Sequence, residues 1–98
     1  MKIDGFDWDE FNIAKVKDHD LDVDEIEEIF ESGDPVFMRN EEHPGRQIAL
    51  GFVPDGRFVL VSYERDDETR WIRVVTAYEP THEKWHLIYS KAKGTPRR

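Results

Sequence analysis

Two hydrophobic segments near the middle of the chain constrain its fold more than any other feature. They are residues 57–63 and 70–78, both rich in Val, Ile, Phe, Tyr and Trp, and the acidic stretch 64–69 separates them. This composition favours paired β-strands joined by a solvated hairpin loop. Successive side chains of a strand point to opposite faces, so both faces of the hairpin are largely apolar. We therefore expect a small sheet that is covered on both faces, by helices or by a partner.

Two helices are predicted before this hairpin. Asp9 is placed as the N-cap of a first helix over residues 10–19. Asp22 and Glu25 have the spacing of a capping box, which predicts the start of a second helix. The stretch 32–35 contains Gly and Pro and should end that helix.

The remaining segments complete an α+β fold. Alternation over residues 47–53 and a turn at 54–56 predict a meander of three antiparallel strands. The sheet is expected to have three to five strands and to pack with two N-terminal helices and one C-terminal helix, in a single domain over residues 1–98. The further elements predicted are short strands within 3–8 and 36–38, a helix starting at 79–81, and a loose basic tail over 91–98.

Composition limits the class of protein. The chain has no cysteine, which excludes disulfides and thiolate metal sites. It shows neither a charged-then-apolar leader nor a long apolar run, so we expect a cytoplasmic protein that does not enter a membrane. Three Trp, three Tyr and six Phe are typical of a folded domain and not of a disordered chain.

The distribution of charge is uneven. The net charge is −8, but residues 1–34 carry thirteen acids against three Lys, while residues 35–98 carry nine acids against eleven Lys or Arg. An anion-binding surface is therefore expected on the sheet, and a basic partner could dock on the acidic helices. The simpler interpretation is that the acids form a solvated face.

A set of residues spread over nearly the whole chain accompanies the order helix, helix, meander, helix. It comprises Phe6-Asp-Trp-Asp9, Asn12, Lys15, His19, Val23, Arg46 before Leu50-Gly51, Gly56-Arg57 before Leu60-Val61, Ile72-Arg-Val-Val-Thr-Ala77, Glu83 and Tyr89. In these residues the chain resembles the BrnT family of toxins from bacterial toxin–antitoxin pairs, a branch of the RelE-like fold.

The resemblance implies a ribonuclease that cleaves messenger RNA without a metal or other cofactor. It also implies a ribbon-helix-helix antitoxin as partner, which silences the toxin and binds operator DNA. At such a site a cation stabilises the phosphorane and an acid or base moves a proton. The matching positions expected to supply charge or proton transfer are Lys15, His19, Arg57, Arg73 and Tyr89, and Arg46 and Arg70 are expected to contact RNA.

Each of these residues also has a structural interpretation. His19 near a helix C-terminus is favoured by the helix dipole. Arg73 beside Trp71 could stack on an aromatic face. Arg57 follows a turn and could solvate the hairpin, and Lys15 could lie on the surface.

Departures from the family pattern support a second hypothesis. Asp20 stands where the family has Gly, and Tyr78 stands where it has Arg, which removes a phosphate contact. The spacing from Glu83 to Tyr89 is also longer than the family norm. Because nucleic-acid binding depends on Lys and Arg at phosphates, the alternative is a catalytically inactive protein-interaction module.

A third hypothesis comes from residues 82–86, which read His-Glu-Lys-Trp-His. On a helix this spacing places two histidines one turn apart, where they bind zinc while the glutamate acts as base. The sequence offers no His, Asp or Glu after His86 as a third protein ligand. A zinc hydrolase is therefore a remote alternative, with His82 and His86 as candidate ligands.

Overall fold

The structure is a computed structural model in which residues 2–94 are described. Within this range the chain forms five strands and three helices. In chain order they are β1 (Gly5–Phe6), α1 (Glu10–Lys17), α2 (Val23–Ser32), β2 (Val36–Arg39), β3 (Gln47–Phe52), β4 (Phe58–Arg65), β5 (Trp71–Tyr78) and α3 (Lys84–Ala92). A bilayer-spanning helix needs about 20 apolar residues, and no helix of the described chain combines such length and hydrophobicity.

The five strands form one mixed sheet with the order β1-β5-β4-β3-β2. Strands β2 to β5 are an antiparallel meander, so the expected meander is present with one more strand than its three-stranded core. The expectation of an entirely antiparallel sheet is wrong, because β1 pairs in parallel with β5. Gly5 permits this pairing: a Cβ atom at that position would lie 2.8 Å from the Trp71 indole.

Helices cover both faces of the sheet, as the hairpin predicts. One face packs against α1 and α2. The buried cluster between this face and the two helices contains Val16, Leu21, Ile26, Ile29, Phe30, Ala49, Val53, Val59, Val61, Tyr63, Ile72, Val74 and Ala77. The other face packs against α3, and its buried residues are Ile48, Leu50, Phe58 and Leu60. The chain therefore has three layers, with a helix or helix pair on each side of the sheet.

A β-bulge changes which side chains of β5 point to each face. Ser62 pairs with Thr76 and the next residue of β4, Tyr63, pairs with Val74, which leaves Val75 without a partner. Ala77 consequently joins the core under α1 and α2, while Tyr78 packs with the cluster under α3. Simple alternation would have placed them on the opposite faces.

The helix boundaries follow the predicted caps, with corrections at the ends. Asp9 caps α1, and Asp22 with Glu25 forms the predicted capping box of α2. α1 ends at Lys17, two residues earlier than predicted. α3 begins at Lys84, later than predicted, without a side-chain cap, and extends through Ala92 into the segment expected to be a loose tail. Residues 95–98 of that tail lie outside the described residues.

Candidate functional site

Sheet arginines hold α1 at both of its ends. At its start, Arg73 contacts Asp7 and the N-cap residue Asp9. Beyond its last turn, Arg57 contacts Asp20 in the connection to α2. The structure therefore brings Arg57 and Arg73 to the two ends of the helix that carries Lys15, with His19 just beyond its last residue. The contacts are made with carboxylate oxygens and with the Asp20 carbonyl group.

Arg57 is the most fully bonded of the candidate residues. Its Nη1 donates to the Asp20 carbonyl at 2.7 Å and its Nη2 to Glu25 Oε2 at 3.0 Å, while Nε lies 3.0 and 3.1 Å from the two carboxylate oxygens of Asp55. The hydrogen bond with Asp55 raises the pKa of Arg57 and lowers the pKa of Asp55. Three carboxylates surround one guanidinium, so this locus is negative, and each of the three guanidinium nitrogens already donates a hydrogen bond.

Asp20 adopts a backbone conformation that is unusual for a residue with a side chain. Its φ is 62°, in the left-handed region that favours glycine. Either a glycine or an aspartate can serve this turn, since Asp is among the residues that tolerate this conformation. The aspartate additionally places a carboxylate 3.9 Å from Arg57.

The other three arginines are also paired with acids. Arg73 donates to Asp7 Oδ2 at 3.1 Å and to Asp9 Oδ2 at 2.9 Å. Arg70 donates to Asp4 Oδ2 through Nε at 3.1 Å, and its Nη2 lies 2.8 Å from the same oxygen. Arg46 Nε lies 3.8 Å from Glu64 Oε2. The residues that contribute these carboxylates are Asp4, Asp7, Asp9 and Glu64. None of the four candidate arginines is a free cation in the described part of the chain.

Lys15 and His19 differ from the arginines because no carboxylate is paired with either of them within residues 2–94. Lys15 Nζ lies 5.6 Å from the centroid of the Phe11 ring, a side chain that is 71% exposed. The exposed His19 lies just beyond α1, and its ring centroid is 5.9 Å from that of Tyr78. These two residues are the candidates still available to an external ligand.

Tyr89 lies on the opposite face of the sheet from α1. It packs edge-on against Phe52 and Phe58, and its hydroxyl donates to the Asp34 carbonyl at 2.8 Å. Lys93 pairs with the Asp34 carboxylate at 2.6 Å. These contacts attach α3 to the segment that follows α2, which is a structural role for Tyr89.

Arg57 and Arg73 are far apart along the sheet. Glu64 is the register partner of Arg73, and Arg57 precedes Glu64 by seven residues of the same strand segment. At about 3.3 Å per residue this separation is roughly 20 Å. The two arginines therefore lie near opposite ends of β4, one beside the start of α1 and the other beyond its last turn.

The residues 82–86 do not form the helical zinc motif. α3 begins at Lys84, so His82 precedes the helix and its Nδ1 accepts a hydrogen bond from the Lys84 backbone N–H at 3.1 Å. The His86 ring packs against Phe58 with a centroid separation of 4.1 Å. Among the described residues, no three or more His, Cys, Asp or Glu side chains are grouped as metal ligands.

The sequence points to the cations but not to their partners. By local pattern alone, the carboxylates that neutralise the arginines belong to helix caps, to the short first strand, to loops or to a solvated face. The excess of thirteen acids over three Lys in residues 1–34 was the available signal, because the arginines of the sheet are the nearest source of compensating charge.

Comparison with known proteins does not assign the chain to a family. No protein-family profile and no curated protein matches the chain. The resemblance to BrnT toxins therefore rests on the residues given above.

Proposed function

We propose that this chain is a non-catalytic protein-interaction module of the BrnT type that binds a small antitoxin-like protein. The observation that carries the proposal is the neutralisation of Arg46, Arg57, Arg70 and Arg73 by neighbouring carboxylates. An RNA phosphate at Arg57 or Arg73 would have to displace carboxylates and would meet a locally negative field. The fold and the family-like residues can persist without cleavage activity.

A charged face of α2 is the surface best suited to this partner. We call Asp24, Glu27, Glu28 and Glu31 the α2 acidic stripe, and α2 buries the opposite side, including Ile26 and Ile29, against the sheet. Glu27 accepts a hydrogen bond from Trp8 Nε1 at 2.9 Å, and Glu28 accepts one from the Ser32 hydroxyl. No cation of the described chain is paired with any of the four.

The α2 acidic stripe matches the chemistry of a DNA-binding partner. A protein that binds operator DNA carries Lys and Arg for the phosphates. Complementary charge directs such a protein to the stripe and increases its association rate. A ribbon-helix-helix antitoxin, as the resemblance implies, fits this description.

Charge reversal tests the docking surface. The double variant Asp24→Lys, Glu31→Lys should bind a small DNA-binding protein from a gene next to that of this chain about tenfold more weakly than the wild type does. The matched control is Glu41→Lys with Glu42→Lys, which changes the net charge equally on a distant loop and should leave the affinity within about twofold. Titration calorimetry at several salt concentrations measures both. Equal effects of the two double variants would contradict docking on α2.

A ribonuclease is the second candidate function, favoured by the unpaired Lys15 and the exposed His19 beside Tyr78. A histidine in such a position can act as a general acid or base. Growth arrest and metal-free RNA cleavage by the wild-type chain would support this function, provided that His19→Gln abolishes the cleavage. His43→Gln, in the loop before β3, is the matched control and should retain it. Such a result would overturn the non-catalytic proposal.

A further inference from the structure

A cleft on the α3 side of the sheet has no role in either function considered above. It lies between the loop that follows β2 and the first turns of α3, and its volume is about 440 Å³. Its apolar walls are Met38, Ile48, Leu60, Trp85 and Ile88. This volume falls in the range of small-molecule sites. The rest of the lining is largely polar and comes from residues 39–43, Ser62 and Lys84.

Ser62 supplies an unpartnered polar group to this cleft. The residue is 6% exposed and lines the cleft. Its hydroxyl forms no hydrogen bond with any other residue of the described chain. A hydroxyl that lines the cleft without a partner in the described chain can donate a hydrogen bond to, or accept one from, a polar group of a bound ligand.

The charges around the cleft favour neither sign of ligand. Arg39 and Lys84 contribute two cations, and Glu41 and Glu42 contribute two anions. Lys84 is also engaged already, since its Nζ lies 4.9 Å from the centroid of the Trp85 ring. A phosphate or a strongly basic group would gain little from this balanced rim.

We propose that this cleft binds a neutral, planar heterocycle of one or two rings. Trp85 and the aliphatic walls contact the ring system, and the Ser62 hydroxyl hydrogen-bonds to its polar edge. The proposal is independent of the proposed function, because the α2 acidic stripe belongs to a helix on the other side of the sheet.

NMR titration of the ¹⁵N-labelled full chain with adenine, indole and nicotinamide tests the site. We expect saturable shifts for at least one of these probes at millimolar concentrations, confined to amides around Ser62, Trp85 and the loop 39–43. Adenosine monophosphate carries the same ring as adenine with a phosphate, and it should bind no more tightly. Absence of saturable shifts with all three neutral probes would overturn the proposal. A much tighter complex with the monophosphate would overturn the assignment of a neutral ligand.

Two variants test the contacts. Ser62→Ala should weaken binding of the hydrogen-bonding probe about fivefold, the equivalent of one hydrogen bond. Thr76→Ala is the matched control, because Thr76 is the register partner of Ser62 and does not line the cleft. Trp85→Leu should weaken binding about tenfold. Thermal unfolding verifies that each variant is folded, and unchanged affinity in Ser62→Ala would refute the hydrogen bond to the ligand.

Discussion

The contact between α2 and β3 offers a sharp test of the helix placement that orients the α2 acidic stripe. Gly51 is buried in β3, and a Cβ atom at this position would lie 2.8 Å from Ile29 Cγ2. Carbon atoms in contact are ordinarily about 3.5–4.0 Å apart, so Gly51→Ala forces the helix or the strand to move by roughly 1 Å. Overpacking of this kind costs about 1–3 kcal/mol. The loss of glycine flexibility in the unfolded chain offsets about 0.5 kcal/mol of it.

The size of the effect should depend on the side chain at position 29. Ile29→Ala removes Cγ2 and should by itself cost about 2–5 kcal/mol, because Ile29 is fully buried. In that background Gly51→Ala should be neutral or stabilising by about 0.5 kcal/mol, because the added methyl group enters the space that Cγ2 vacated. Ile29→Val is the matched control, since valine keeps the corresponding methyl group and the cost of Gly51→Ala should persist.

Urea denaturation followed by tryptophan fluorescence and by circular dichroism measures these free energies of unfolding. We expect a coupling energy of about 2 kcal/mol between Gly51→Ala and Ile29→Ala, and about zero with Ile29→Val. Simple additivity of Gly51→Ala and Ile29→Ala would mean that α2 does not lie on β3 as described. The acidic stripe would then face a different direction.

Three further predictions concern single residues. Asn12 is 7% exposed and its Oδ1 is buried without a partner in the described chain, so Asn12→Leu should raise the free energy of unfolding by about 1–2 kcal/mol in urea denaturation; a decrease would reveal a partner for the amide. The hydrogen bond from Arg57 lowers the pKa of Asp55, so its stabilising contribution is complete above the ordinary value of 3.8 and is lost as pH falls below it. Asp55→Asn should therefore flatten the acid side of a plot of melting temperature against pH, and an unchanged plot would contradict the pairing. Burial raises the pKa of Tyr63 above its ordinary value of 10. The stability that depends on its protonated hydroxyl is therefore complete below pH 10 and is lost only as pH rises above that value. Tyr63→Phe should leave the tyrosinate absorbance of the folded protein at about pH 11 unchanged, and a drop would show that Tyr63 ionises in the native state.

The elements predicted best are those that local sequence determines. The capping box of Asp22 and Glu25 fixed the start of α2, because both partners lie within one helical turn. The hairpin of residues 57–78 is apolar on both faces, so it had to be covered on both sides, and helices cover it. In both cases the interacting groups are close in the chain or repeat with a fixed period.

The elements predicted less well depend on distant partners. β1 has only two residues, and its parallel pairing with β5 joins segments more than sixty residues apart. The bulge at Val75 depends on how β5 pairs with β4, and alternation along one strand does not reveal it. α3 lacks a side-chain cap, so its first residue is set by packing on the sheet through Trp85 and Ile88.

The candidate site shows the same division. Its residue types were evident from the sequence, and so was the tendency of the chain to carry cations on the sheet and anions before it. Whether Arg57 and Arg73 remain available to a phosphate depends on carboxylates that the chain supplies from far away, such as Asp7 and Glu25. Such pairs follow from the docking of α1 and α2 on the sheet, which no local pattern encodes.

The sequence by itself determined the apolar faces, the helix caps and the excess of acid in the first third of the chain, because these depend on composition and short-range geometry. Only the tertiary structure decided that the acids neutralise the arginines and that Ser62 faces a cleft beneath α3. Charges and hydroxyl groups acquire their function from what lies within a few ångströms of them. In this chain, folding brings many of those neighbours from distant segments.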